Sequence, residues 1–286
     1  RGNPPESRAF LFAAVQVGRM SESTDEDYEY DPDADHAFDD SLVNELLPVV
    51  TSDPEIVTYL EAQNVNAVTR KQYSDHGPKH IEIVRNRGLR LYELLKRADI
   101  EFNGATEQGL DEAFEPVILV LAATLHDIGH VVHRDHHSYY SIPLAADVLD
   151  RLLWDLYETE TAVKVKGEVL HAILCHHTEE TPLTKEAGII RIADGLDMER
   201  GRSRIPYESG GRGINTLSSQ AIENVRLIEG EDRPVLVEIE MVNAAGVYQV
   251  DNLLKAKLKD SLLEDQIRIV AVNTKAEDML VERIEL

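Results

Sequence analysis

Apolar positions in the middle of this chain recur every three or four residues, the period of a helix with one buried face. SDPEIVTYLEAQ opens with a capping residue and a proline near the first helical position. HIEIVRNRGLRLYELLKR puts His80 on the same inward face as Val84, Leu91 and Leu95. EPVILVLAATLHD is apolar all round and predicts a buried central helix. IPLAADVLDRLLWDLYE, KVKGEVLHAILCHH and KEAGIIRIADGLDM continue the helical series as far as the loop ESGGRG.

Beyond that loop the period changes. VLVEIEM alternates apolar and acidic residues as a half-buried strand does, and NVRLIEG before it predicts a hairpin. GVYQVDNLLKAKLK aligns Val247, Val250, Leu254 and Leu258 on one helical face, and QIRIVAVN returns to strand. The expected fold class is therefore mainly α: a helical domain over residues 39–207 and a small α+β module over 208–286, with no internal repeat. A sheet of two or three strands with one helix is marginal alone. Its apolar side needs cover from the helical domain or from a second copy, and a homodimer is the favoured expectation.

Charge narrows the partners. The 286 residues carry 53 acidic groups against 29 basic ones, a net charge of -24. Such a balance disfavours extended nucleic acid and anionic membrane, whose phosphates are met by Lys and Arg. The acidic excess, with Arg outnumbering Lys, fits a proteome adapted to molar salt. The single cysteine, Cys175, excludes an intrachain disulfide and fits a reducing, cytoplasmic compartment. Residues 1–38 read as a disordered acidic tail, in which AFLFAAVQV has the length of a signal-peptide core but weak, mixed flanking charge. Residues 1–19 are read as lying upstream of a natural start at Met20.

The candidate chemistry lies in LHDIGHVVHRDHH, which holds five of the eleven histidines. His126 and Asp127 end a buried helix, where two polar groups are costly unless satisfied. A divalent cation satisfies both, since carboxylate and neutral imidazole are ordinary ligands. His80 points inward, His76 lies four residues earlier, His137 precedes a helix, His176 and His177 end one, and Asp194 stands among apolar neighbours. Donors aimed inward from four helices favour a metal over isolated hydrogen bonds. His133 and His136 are expected on exposed loops, His171 in a structural role and Cys175 as a buried thiol. For Asp75 and His76 a loop cap and an outer metal shell are equally open.

The order His80, His126-Asp127, Asp194 resembles the HD-domain metal-dependent phosphohydrolases, in HIEIVRNRGL, LHDIGH and RIADGLD. HHSYYSIPLAADVL and AILCHHT resemble the two-metal branch, which includes HD-GYP cyclic dinucleotide phosphodiesterases and the HD part of ribonuclease Y. No GYP motif follows the histidine pair, and no KH module or coiled coil accompanies the domain. The resemblance implies a helical bundle holding one or two divalent ions and hydrolysing phosphoesters. One ion would be held by His80, His126, Asp127 and Asp194, with His76 as a further candidate. A second would share Asp127 and take His137 with His176 or His177. The nitrogen-rich set favours Mn, Fe, Co or Ni over Mg. His130 stands where relatives often carry Lys and, with Asp127 and Arg200, is a catalytic candidate. Arg200, Arg202 and Arg204 are expected near the mouth, where Arg suits phosphate. The expected substrate is a nucleotide, cyclic nucleotide or other small phosphoester. The rival readings are a regulatory protein that binds a nucleotide without turnover and a metal-dependent ribonuclease.

Overall fold

The computed structural model describes residues 40–70, 75–199, 214–274 and 283–285. The expected acidic tail, the boundary at 207/208 and the arginines 200, 202 and 204 lie outside the described residues.

Helices α1 (Ser41–Ser52) and α2 (Pro54–Asn64) each start on an aspartate, Asp40 and Asp53, whose carboxylate accepts the first free backbone N–H groups. Then follow α3 (Pro78–Arg97), the short α4 (Asn103–Thr106), α5 (Phe114–Leu125), α6 (His137–Leu156), α7 (Thr159–Cys175) and α8 (Lys185–Leu196). As its sequence predicts, α5 is the central helix: every residue from Glu115 to Leu125 is buried, against α1, α3, α7 and α8. The segment Phe114–Val131 has the length and apolarity of a membrane span, but 89% of it is buried inside the bundle.

The C-terminal module comprises α9 (Ile214–Ser219) and strands β1 (Ile222–Glu229), β2 (Val235–Met241), β3 (Ile267–Asn273) and β4 (Arg283–Glu285), in the order β1-β2-β3-β4. The hairpin β1–β2 is antiparallel, β2 and β3 are parallel, and β4 returns antiparallel to β3. Val235, Val237, Ile239 and Met241 are buried, with half-exposed residues between them, as the alternation predicted. The crossover differs from the single helix read over 246–259. It is a 3-10 turn (Ala244–Gly246), a widened π-helical segment (Gln249–Leu254) and the short α10 (Lys255–Leu258). The buried Gln249 donates to Ser218 Oγ at 2.8 Å, an inward polar anchor that an apolar periodicity does not register. Val250, Leu254 and Leu258 remain buried.

The module's apolar side finds its cover within the chain. β1 and β2 lie on α3, and the crossover lies on α8, so one contiguous hydrophobic core joins the helices to the sheet. Across the seam Arg90 Nε donates to the Leu227 carbonyl (3.4 Å) and Glu199 accepts from Val225 N (3.1 Å).

Three carboxyls are buried among α5, α7 and α8: Glu115, Glu168 and Glu186. Burial raises the pKa of each above the ordinary glutamate value. A raised folded-state pKa contributes stability below the unfolded value, and that stability is lost as pH climbs through the folded one. Glu168→Gln, neutral at every pH, is therefore expected to gain in melting temperature over the parent as pH rises from about 4.3 towards neutral. Melting curves across that range check it, and a difference that stays flat would remove the account.

Candidate metal centre

Five segments converge at one end of the bundle. Gly77 and Pro78 open α3, so His80 stands in its first turn. The end of α5 delivers His126 and Asp127, and the chain turns sharply through Ile128–Val131. Gly129 permits that turn. A Cβ there would lie 2.0 Å from the His137 carbonyl oxygen and 2.5 Å from Ser141 N. Gly129 N donates to Ser141 Oγ (2.8 Å), which donates to the His126 carbonyl (2.7 Å), fastening the start of α6 to the end of α5. His137 opens α6, His176 follows the last residue of α7, and Asp194 rides near the end of α8. Gly129→Ala is expected to cost about 3 kcal/mol, as overpacking against backbone does. Urea unfolding in the presence of a chelator checks this separately from any ion.

Asp127 is the centre. Its Oδ2 lies 3.3 Å from His80 Nε2 and 3.4 Å from His126 Nε2, and Asp194 Oδ1 lies 3.4 Å and 4.0 Å from the same two atoms. Its Oδ1 faces the other way, 3.2 Å from His137 Nε2 and 3.6 Å from both His176 Nε2 and His130 Nε2. One carboxylate thus joins two half-sites.

The far side of each ring fixes its tautomer. His126 Nδ1 donates to the Ala123 carbonyl (2.8 Å), His137 Nδ1 to Arg134 O (2.8 Å) and His176 Nδ1 to Ile173 O (2.6 Å). His80 Nδ1 donates to Asp197 Oδ2 (2.6 Å). A carbonyl or carboxylate can only accept, so each neutral ring turns its Nε2 lone pair inward. The consequence is two pairs of facing lone pairs, His80 with His126 at 3.2 Å and His137 with His176 at 3.0 Å. Asp127 Oδ2 also lacks any hydrogen-bond partner among the described residues. Lone pair against lone pair in a buried site is unfavourable, and a cation between them reverses the sign.

The electrostatics agree. Burial would raise the Asp127 carboxyl, but His126 and His130 hold it well below the usual carboxylate range. Burial likewise opposes ionisation of Asp194, and Lys257 and His80 overcome it. Burial pushes the His176 imidazole well below its ordinary value and His130 down to about 4. Ionised carboxylates and neutral imidazoles are the state a metal requires. His137 differs: burial would lower it, but the Asp127 hydrogen bond and charge raise it.

Of the residues singled out in the sequence, His80, His126, Asp127, His137, His176 and Asp194 come together. His76 also joins, its ring centroid 4.7 Å from His130 and its ligand atom grouped with those of Asp127 and His130. Asp75 is the loop cap, accepting from Gly77 N at 2.6 Å. His130 is buried, stacked 4.1 Å from His137, and neither of its ring nitrogens is hydrogen-bonded among the described residues. Of the two adjacent histidines offered for the second ion, His176, just past the end of α7, is the one that brings a ring nitrogen to Asp127. His177 instead lies partly exposed, its ring edge-on to His137 at 5.5 Å. His133 and His136 are exposed as expected, their side chains 50% and 65% accessible. His171 accepts from Leu183 N (2.9 Å), and Cys175 is a buried thiol raised to about 11 by burial. Two partners escaped the sequence reading, Asp197 and Lys257. The first was signalled by its place one turn after Asp194, the second by nothing local.

A family model described as HD domain matches residues 81–199. The protein named Uncharacterized protein MJ1020 of Methanocaldococcus jannaschii is 38% identical over 223 residues, which is 76% of this chain and 84% of the relative.

Proposed function

Because the chain belongs to the HD-domain family, we propose that it is a phosphohydrolase with a two-ion centre, acting on a nucleotide, cyclic nucleotide or other small phosphoester. The observation that carries this reading is the pair of opposed imidazole lone pairs on either side of Asp127. His80, His126, Asp127 and Asp194 would hold one ion. Asp127, His137 and His176 would hold the other, with His76 and His130 beside them. Bound divalent ions activate water and offset charge on phosphoryl oxygens. A ligand set rich in nitrogen favours Mn, Fe, Co or Ni.

The protein's own groups supply the rest. Asp197 and three backbone carbonyls fix the ring orientations. His130, neutral and without a hydrogen-bond partner among the described residues, is available to meet a substrate oxygen or its proton. Arg200, just beyond Asp194 in sequence, is proposed to contact phosphate. We place the protein in the cytoplasm, with a small phosphorylated molecule as its partner.

The test is metal analysis of purified protein followed by a panel of small phosphoesters with each ion in turn. Turnover that needs the ion and stops with a chelator is expected. Retained metal and nucleotide binding with no turnover across the panel would favour the regulatory reading instead.

A further inference from the structure

Helix α8, which carries Asp194, turns one stripe towards the C-terminal module: Gly188, Arg191 and Gly195, spaced so that they share a face. A Cβ on Gly188 would stand 2.1 Å from the Ser261 carbonyl oxygen, and one on Gly195 2.6 Å from Lys257 Cδ. Between them Arg191 donates to the Ala256 carbonyl at 3.4 Å. The two missing side chains let α10 and the turn after it lie directly on α8.

Through that close approach Lys257 reaches the centre. Its Nζ lies 2.5 Å from Asp194 Oδ2 and donates to the His176 carbonyl at 2.9 Å. The pair is largely enclosed, Lys257 being 14% exposed and Asp194 13%. A single ammonium therefore touches a residue of the first half-site and a residue of the second, on two different helices.

We propose that Lys257 is a positioning residue of the metal centre, an inference that rests on the metal reading above. By engaging Asp194 Oδ2 it keeps that oxygen from turning inward and leaves Oδ1 facing His80 and His126. By its second hydrogen bond it anchors the end of α7, where His176 must face Asp127. The C-terminal module is on this account a part of the centre and no mere neighbour of it.

The experiment uses the full chain, stripped with a chelator and titrated with Co(II) alone. Affinity is read by chelator competition and coordination by the visible d–d bands. Lys257→Met keeps the stem that lies over Gly195 and removes the ammonium, and Lys257→Arg keeps the charge. The Met variant is expected to bind Co(II) about 10–100-fold more weakly, the range for loss of an outer-shell partner. Its d–d bands should be altered while its metal-free melting is unchanged, and Arg should recover most of the affinity. Should Met disturb the fold, Lys257→Gln carries the same expectation. A variant that binds Co(II) with parental affinity and spectrum would overturn the inference. Parent protein that takes up no Co(II) would instead overturn the metal reading itself, a different outcome in the same titration.

Discussion

Asp127→Ala is expected to give a folded protein that retains no stoichiometric metal and hydrolyses phosphoesters about 10³-fold more slowly or worse. The size follows from its position. Each of its oxygens faces a different pair of imidazoles, so one substitution removes an anionic donor from both half-sites. The remaining lone pairs of His80, His126, His137 and His176 would face one another without the charge that draws a cation between them. Folding should survive, because the core around α5 is apolar and complete without Asp127. Elemental analysis and melting in chelator check the two halves of this expectation. Metal content equal to the parent would remove the bridging role.

The second large effect separates two adjacent residues. His176→Ala is expected to lower bound metal from two ions per chain towards one and to abolish activity that depends on both. His177→Ala should leave the stoichiometry at two. The distinction rests on His176 Nε2 lying 3.0 Å from His137 Nε2 with its Nδ1 donating to Ile173 O. His177 has a buried Nδ1 without a hydrogen-bond partner among the described residues, and burial lowers its pKa to about 4. Should the His177 variant lose an ion while the His176 variant keeps both, the assignment must be exchanged.

What the sequence showed of this centre depended on periodicity. His80, His126 and Asp194 were legible because each is a polar residue at a position that helical spacing assigns to the interior. The choice between His176 and His177 was not, because both follow the last residue of α7, where the phase of the helix no longer fixes direction. Asp197 closes onto His80 across 117 residues, a pairing no local pattern encodes. Lys257 falls two turns after Val250, beside the apolar stripe of its helix, but a lysine there carries no local signal of what it meets. It reaches the interior because Gly195 leaves room for its stem. The alternation in β2 and the hairpin before it were plain, whereas β4, only Arg283–Glu285, is too short to show a period.

The parallel register of β2 and β3 bears on how the protein comes to be folded. Strands related by a hairpin can close within a few residues, but Val235 meets Ile267 only after the whole crossover has been laid down. Non-local pairings of this kind are slow, since loop closure precedes the contacts that reward it. The helices bearing His80, Asp127, His137, His176 and Asp194 precede the sheet in the chain and so leave the ribosome first. Lys257 lies inside the late-closing crossover. The helical half of the centre can thus pack before β3 closes the sheet, and Lys257 would join it only once the crossover has been laid down.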